Sequence, residues 1–392
     1  MENNSFNKKF EDIYQHPAQA ISSAPGRVNL IGEFTDYNNG FVLPCALKFS
    51  TRILYRKRDD DQVVVHSLHY PGEHDQFSID GAITHGDSQW GNYIRAVAYV
   101  FKRQGHQLCG LDLLIDSNVP QGSGLSSSAA LEVAMGGIFN EACQLNLSGQ
   151  EIALLGQEAE NDFMNCQCGI MDQLVSANGE EGHALLMDCR SLETVSVSIP
   201  NDLSIVIVNS NYPRKLVDSE YNQRRIDCEQ AASKMSVTSL RDANLDKLNE
   251  AHSAMTENEY KRAHHVITEN ARVLNAVEAL KENDMQALRK LMTASHQSLK
   301  NDFEVTIAET DGLVEICQEA LGIEGAVRMT GGGFGGAIVC LCRHSDIDKI
   351  KSAVEAQYFP RFNIQASIYV GKAGDGLQAD SDTHVTLPTK NE

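Results

Sequence analysis

The sequence predicts an α/β (α+β) protein of two lobes, each mixing β-strands with helices, and three observations carry that prediction. Its 392 residues exceed what a single hydrophobic core usually serves and favour two or three lobes. A strand pattern at Leu108 to Ile115, a loop of glycine and serine, and a long helical pattern at Ser128 to Cys143 succeed one another around Gly122. From Leu203 a second round begins, with a buried-strand run, a series of helices, and two strands bracketing a glycine-rich segment. We therefore expect an N-terminal lobe at 1–200 and a C-terminal lobe at 201–392.

The elements follow in order. A short leading helix is expected over 7–18, then a polar turn at Ser22 to Gly26. Phe41 to Val65 is rich in β-branched and aromatic residues, cut into strands by Pro44 and the charged turn Arg58-Asp59-Asp60-Asp61. Tyr93 to Arg103 reads as a helix, Leu108 to Ile115 as a strand, and Ser128 to Cys143 and Ser148 to Asn161 as helices. Leu203 to Asn209 is a buried strand. Ser219 to Ser233, Ala263 to Leu280, Asp284 to Leu299 and Asp302 to Leu321 are helical. Strands at Gly325 to Thr330, Ala337 to Cys342 and Ile364 to Val370 precede a polar tail.

Composition narrows the class. The 33 basic and 53 acidic residues give a formal charge of −20, which repels nucleic acid and anionic membrane. A nucleotide polyphosphate would be repelled too, so any such site needs local donors and a divalent ion. The same charge also serves plain solubility. No stretch approaches the roughly 18 apolar residues of a membrane span, and Met1 to Phe6 lacks the features of a secretory signal. Ten cysteines are too sparse for a disulfide scaffold, and Cys166/Cys168 and Cys340/Cys342 miss zinc spacing. A cytoplasmic protein with reduced thiols is expected. No heptad stripe stands out, which favours a monomer.

Three segments carry chemistry. Pro120-Gln121-Gly122-Ser123-Gly124-Leu125-Ser126-Ser127-Ser128 sits before a helix, where glycines admit close backbone approach and helix-start amides face an anion. It lacks the Walker lysine and does not fit GxGxxG; an ordinary capped turn is the plain alternative. Ser128 and Glu160 are the hard oxygen donors that could approach a magnesium ion, although acidic clusters such as Glu158 to Asp162 are commonly solvated surface. Thr330 to Gly336 packs five glycines between two strands. At roughly 0.5–1 kcal/mol per glycine this implies close approach by a ligand or another backbone. On the third segment, Gly26 to Asp36, Arg27, Glu33 and Asp36 supply a cation and two carboxylates suited to a polyol. Asp172, set among apolar residues, either accepts a hydroxyl proton during attack on a γ-phosphorus or only orients that hydroxyl, with Arg27 balancing charge. Tyr221 would bring a phenol from the second lobe, or serve as helix packing.

Ala24 to Gly40, with Gly32-Glu33-Phe34-Thr35-Asp36-Tyr37 at its centre, resembles the galactokinase signature. Together with Gly122 to Ser128, Cys168 to Gln173, Asp188 to Ser191, Ser219 to Arg225 and Gly325 to Gly336, nearly the whole chain resembles the galactokinase family. That family lies in the superfamily that also holds homoserine, mevalonate and phosphomevalonate kinases. The resemblance implies a two-lobed small-molecule kinase fold with the active site in the cleft between lobes. It implies transfer of the γ-phosphoryl group of ATP to the anomeric hydroxyl of galactose, with magnesium. Asp172 and Arg27 would be catalytic, and Glu33, Phe34, Thr35, Asp36 and Tyr221 would meet the sugar. Gly122, Ser123, Gly124, Leu125, Ser126, Ser127 and Ser128 would hold ATP, and Ser128 and Glu160 the metal. One departure stands out: the family has histidine where this chain has Phe34, near the sugar's hydroxymethyl end. Weaker use of galactose, or preference for a 6-modified galactose, is expected. Other kinases of the superfamily, and a silent sensor of galactose and ATP, are the rival readings.

Overall fold

The computed structural model describes residues 3–120, 122–213 and 217–380. Gln121 of the serine loop, the side chain of Ser219 and the polar tail from 381 lie outside the described residues. The chain forms a two-lobed α/β fold of mixed sheets and helices, as its sequence predicts. In order, the first elements are α1 (Asn3–Tyr14), β1 (Ala20–Asn29), β2 (Phe41–Val42), β3 (Pro44–Lys57), β4 (Gln62–Ser67), β5 (His74–Ser78), α2 (Gly91–Arg103) and β6 (Leu111–Ser117). Then come α3 (Ser127–Ala142), α4 (Gly149–Glu158), α5 (Met171–Asn178), β7 (His183–Asp188), β8 (Thr194–Ser198) and β9 (Leu203–Asn209). The remainder is α6 (Val217–Lys234), α7 (Leu245–Ala251), α8 (Glu257–Lys281), α9 (Met285–Asn301), α10 (Ala308–Leu321), β10 (Gly325–Thr330), β11 (Ala337–Arg343), α11 (Ile347–Phe362), β12 (Ser367–Gly371) and β13 (Gln378–Asp380).

A six-stranded sheet runs in the order β13-β1-β3-β6-β4-β5, antiparallel except for β4 against β6. Its apolar face meets α2, α3, α4 and α5 through Ile53, Val63, Phe101, Leu113, Ile138 and Leu174, all fully buried. The second sheet, β10-β11-β9-β12, is antiparallel throughout. Its central strand β9 is buried at every position, as its unbroken apolar run requires of a strand covered on both faces. Helices α10 and α11 close one face through Leu313, Cys317, Ile350 and Tyr358. A small sheet, β2-β7-β8, completes the set. Helices α4 and α8 start at capping boxes, Ser148/Glu151 and Thr256/Glu259, each satisfying two helix-start amides.

Several boundaries differ from expectation for identifiable reasons. The leading helix ends at Tyr14, because Pro17 disfavours helix before it and Gln15 takes a left-handed turn. The expected polar turn at 22–26 is instead the buried strand β1. Its polar groups are satisfied inside: Ser22 Oγ donates to Ala134 O (2.8 Å) and Ser176 Oγ to Pro25 O (2.7 Å). Pro25 is tolerated beside a bulge in the β1–β3 register. The expected helix from Asp302 starts only at Ala308; Phe303 and Val305 fold back onto the end of α9 through Ser298 O and Leu299 O. That turn places Phe303 beneath the site.

Candidate active site

One pocket gathers residues that are far apart in sequence. Arg27, Glu33, Phe34, Asp36, Cys168, Gly169, Met171, Asp172, Tyr221, Gly331 and Gly332 line it, around about 330 Å³ of empty space that includes its open mouth.

The first lobe supplies a charge clamp. Arg27 emerges from β1 and Asp172 from the first turn of α5. Arg27 Nε and Nη2 donate to the two carboxylate oxygens of Asp172 at 2.7 Å each, while Nη1 donates to Gly124 O at 2.6 Å. Ser126 Oγ donates to Asp172 Oδ2. The clamp therefore joins the pocket to the serine loop. Burial works against the Arg27 charge, but Asp172 and Glu33 outweigh it and hold the guanidinium protonated.

The loop between β6 and α3 presents backbone rather than side chains. Ser126 caps α3 in a left-handed conformation without a side-chain bond to the helix, leaving first-turn amides for an anion. Ser123 is fully buried with its hydroxyl on Pro120 O (2.6 Å), and Leu125 lies in the core. Neither side chain is presented outward, so only their backbone could meet a nucleotide. The glycine-rich turn after β10 approaches this loop: a Cβ on Gly331 would sit 3.2 Å from Gly124 O. At Gly333 glycine is required twice over, by φ of +73° and by Val305 O at 2.5 Å from any Cβ.

The two pocket carboxylates Glu33 and Asp36 differ in surroundings. Glu33 Oε1 is held by the second lobe, by Arg328 Nη2 (2.7 Å), Gly331 N (2.8 Å) and Thr330 Oγ1 (3.1 Å). Among the described residues no cation is bonded to Asp36. Burial, and next the charge of Asp172, push its carboxyl up to about 7. Phe34, at φ of +64°, stacks on Phe303 (4.5 Å between ring centroids) with Tyr221 at 5.7 Å and Tyr37 at 6.5 Å, an apolar wall. Thr35 is the exception among the expected residues. It is fully buried, its hydroxyl lies against Gly32 O and Phe41 O, and it does not line the pocket.

Behind the clamp, Glu160 lies in a wide π-helical turn after α4. It accepts hydrogen bonds from Ser128, Cys168 and Gln173, and burial, then the Asp172 charge, push its carboxyl up to about 7. A buried carboxylate with hydroxyl and amide neighbours but no cation is suited to a hard divalent ion. Burial raises Glu132, next to it, well above the usual carboxylate range. Sequence reasoning did not single out Glu132, Gln173, Gly169, Phe303 or Arg328. The available signals were a lone acid in the small-residue run of α3 and a lone arginine in a buried strand.

Known proteins resemble this chain in sequence and in fold. Residues 92–180 match the GHMP kinases N terminal domain, 276–360 the GHMP kinases C terminal, and 8–57 the galactokinase galactose-binding signature. The galactokinase of Lactococcus lactis, solved in complex with galactose, is 34% identical; the match covers 96% of this chain and 99% of that one, with a TM-score of 0.91. The mevalonate kinase of Methanococcus jannaschii is 16% identical (91% and 98% covered, TM-score 0.61). The homoserine kinase of Cytophaga hutchinsonii is also 16% identical (94% and 99% covered, TM-score 0.61). These two share the fold. With 34% identity to a galactokinase over nearly the whole length, and both GHMP kinase domains and the galactose signature matched, the chain belongs to the galactokinase family of GHMP kinases.

Proposed function

We propose that this protein transfers the γ-phosphoryl group of ATP to the anomeric hydroxyl of α-D-galactose, giving galactose 1-phosphate and ADP. The observation that carries the reading is the clamp in which Arg27 grips both oxygens of Asp172 and reaches Gly124 of the serine loop. It ties the group beside the acceptor hydroxyl to the loop beside the donor phosphates.

Glu33, Asp36 and Tyr221 bind sugar hydroxyls, with Glu33 set in place by Arg328 and Thr330 of the second lobe. As the anomeric oxygen attacks phosphorus, its proton passes to Asp172, or Asp172 fixes its direction and the proton leaves later. Arg27 offsets the charge that develops between donor and acceptor. The backbone of Gly122 to Leu125 and the first turn of α3 cradle the ATP phosphates, with Ser126 tied to Asp172. Ser128 and Glu160 would hold magnesium, which when bound neutralises phosphate charge. Among the described residues no group of three or more His, Cys, Asp or Glu forms a metal site, which suits an ion taking most of its ligands from phosphate and water.

The test is a magnesium–ATP reaction with galactose, N-acetylgalactosamine, mevalonate and homoserine, detecting each phosphorylated product. Galactose 1-phosphate is expected. Product from another acceptor alone, or binding of sugar and ATP without turnover, overturns the reading.

A second reading concerns specificity, and the apolar wall of Phe34, Phe303 and Tyr221 favours it. Where the family has histidine near the hydroxymethyl end, a ring offers no hydrogen bond, so 6-deoxygalactose should rival galactose. Phe34→His should raise the kcat/KM ratio of galactose to 6-deoxygalactose by roughly 2- to 13-fold, the worth of one hydrogen bond at about 0.5–1.5 kcal/mol. An unchanged ratio refutes it. We further read the protein as a cytoplasmic monomer. All ten cysteines are free, which supports a reducing compartment; among the described residues no helix is long and apolar enough to cross a membrane.

A further inference from the structure

The cluster behind the clamp holds one more carboxyl group than the reaction uses. Glu132 lies one turn beyond Ser128 on α3, is 1% exposed, and is surrounded in sequence by Ala, Leu, Val and Met. Burying such a group is costly unless it is hydrogen-bonded. The bond it makes is to Gln173, on α5 directly after Asp172. Gln173 Nε2 donates to Glu132 Oε2 at 2.9 Å and to Glu160 Oε2 at 2.7 Å. An amide nitrogen has two hydrogens, so this one is fully used in bridging the two acids.

The other ends of the same two groups carry the decisive observation. Glu132 Oε1 and Gln173 Oε1 are both buried, and among the described residues both lack a hydrogen-bond partner. Native interiors rarely leave such atoms unpaired. A hydroxyl on Glu132 directed at Gln173 Oε1 would satisfy both at once, in the two-bond ring a carboxylic acid forms with an amide. Turned over, Gln173 would present its oxygen to Glu160 Oε2 and no longer hold it, so the Glu160 carboxylate selects the amide's orientation while the pairing with Glu132 holds the amide in place.

We propose that Gln173 is a positioning residue that aims the Glu160 carboxylate toward the nucleotide's magnesium, and that Glu132, paired with both ends of the Gln173 amide, anchors that amide in place. Because Gln173 follows Asp172 on α5, one helix then sets both the group facing the sugar hydroxyl and the group facing the metal. The inference rests on the kinase reading for the metal's place, and its test separates the two.

The experiment compares wild type, Gln173→Leu, Glu132→Leu and Glu132→Gln. It measures Mn²⁺ binding in the presence of ADP by electron paramagnetic resonance, magnesium dependence of turnover, and the KM for galactose. Outer-shell partners of metal ligands are worth about 10- to 100-fold in metal affinity. Gln173→Leu and Glu132→Leu should weaken Mn²⁺ binding and raise the magnesium requirement by that factor, with the galactose KM within about two-fold. Glu132→Gln, whose amide can both accept from and donate to Gln173, should restore wild-type metal binding. Metal affinity unchanged in Gln173→Leu, or Glu132→Gln as impaired as Glu132→Leu, overturns the proposal. If Gln173→Leu fails to fold, the Glu132 pair decides alone. If wild type makes no galactose 1-phosphate, the kinase reading falls, while the manganese titration still decides the role of Gln173.

Discussion

Gly169→Ala should damage sugar use by displacing a carboxylate, although alanine fits the local backbone. Gly169 does not occupy the left-handed region, so the substitution brings no backbone penalty of its own. The added methyl would lie 2.1 Å from Asp36 Oδ2, 2.3 Å from its Cγ and 2.8 Å from its Cβ. The tightest ordinary C···O contacts are about 3.3 Å, so the carboxylate must retreat by roughly 1 Å. Asp36 cannot absorb this by a rotamer change alone, because its Cβ is crowded as well. Its backbone is pinned in a short turn by Asn39 N to Asp36 O (3.1 Å) and Gly40 N to Thr35 O (2.8 Å). A retreat of that size breaks a hydrogen bond to a sugar hydroxyl. Bonds to charged groups are worth about 1.5–3 kcal/mol, so kcat/KM for galactose should fall by roughly 10- to 150-fold. The KM for ATP should stay within about two-fold, since the serine loop is untouched. Steady-state kinetics with each substrate varied, alongside a melting curve, make the measurement. A folded Gly169→Ala enzyme with galactose kcat/KM within two-fold of wild type would refute the reasoning and remove Asp36 from the sugar site.

Two more predictions follow from the same geometry. Burial raises the Asp36 carboxyl to about 7, so the folded protein favours its neutral form. The associated stability is full below the ordinary carboxylate range near 4 and is lost as pH rises through about 7. Asn cannot ionise, so unliganded Asp36→Asn should melt above wild type at pH 8, by as much as a few kcal/mol of stability, and the gap should close toward pH 4–5; a gap independent of pH contradicts this. Gly26→Ala places a methyl 2.6 Å from Leu125 O and 2.9 Å from a Val119 methyl, pushing the serine loop from β1. The KM for ATP should rise several-fold, on the scale of one lost hydrogen bond of about 0.5–1.5 kcal/mol, with the galactose KM little changed; equal effects on both substrates count against a role for that loop in nucleotide binding.

Much of the site was legible because its chemistry is concentrated in short segments. Arg27, Glu33 and Asp36 lie within ten residues, and Asp172 and the serine loop each stand in a distinctive run. Adjacency in sequence misled at Thr35: its neighbours Phe34 and Asp36 line the pocket, yet the tight turn that delivers them spends the Thr35 hydroxyl on backbone carbonyls. Polarity misled at Ser22 and Ser23, which look like a turn and are strand residues, because Ser22 finds its acceptor on α3.

By itself the sequence determined the chemical inventory and the order of elements. Apolar periodicity specifies strands such as β9 and helices such as α8, and the glycine and serine runs mark where backbone must stay open to a ligand. What the tertiary structure alone decided is how charges are partnered. Arg27 meets Asp172 from 145 residues away, Arg328 meets Glu33 from 295 residues away, and Gln173 bridges Glu132 and Glu160. No local pattern encodes these pairings, because a buried charge is satisfied by whatever group the packing of distant strands and helices brings within hydrogen-bond reach.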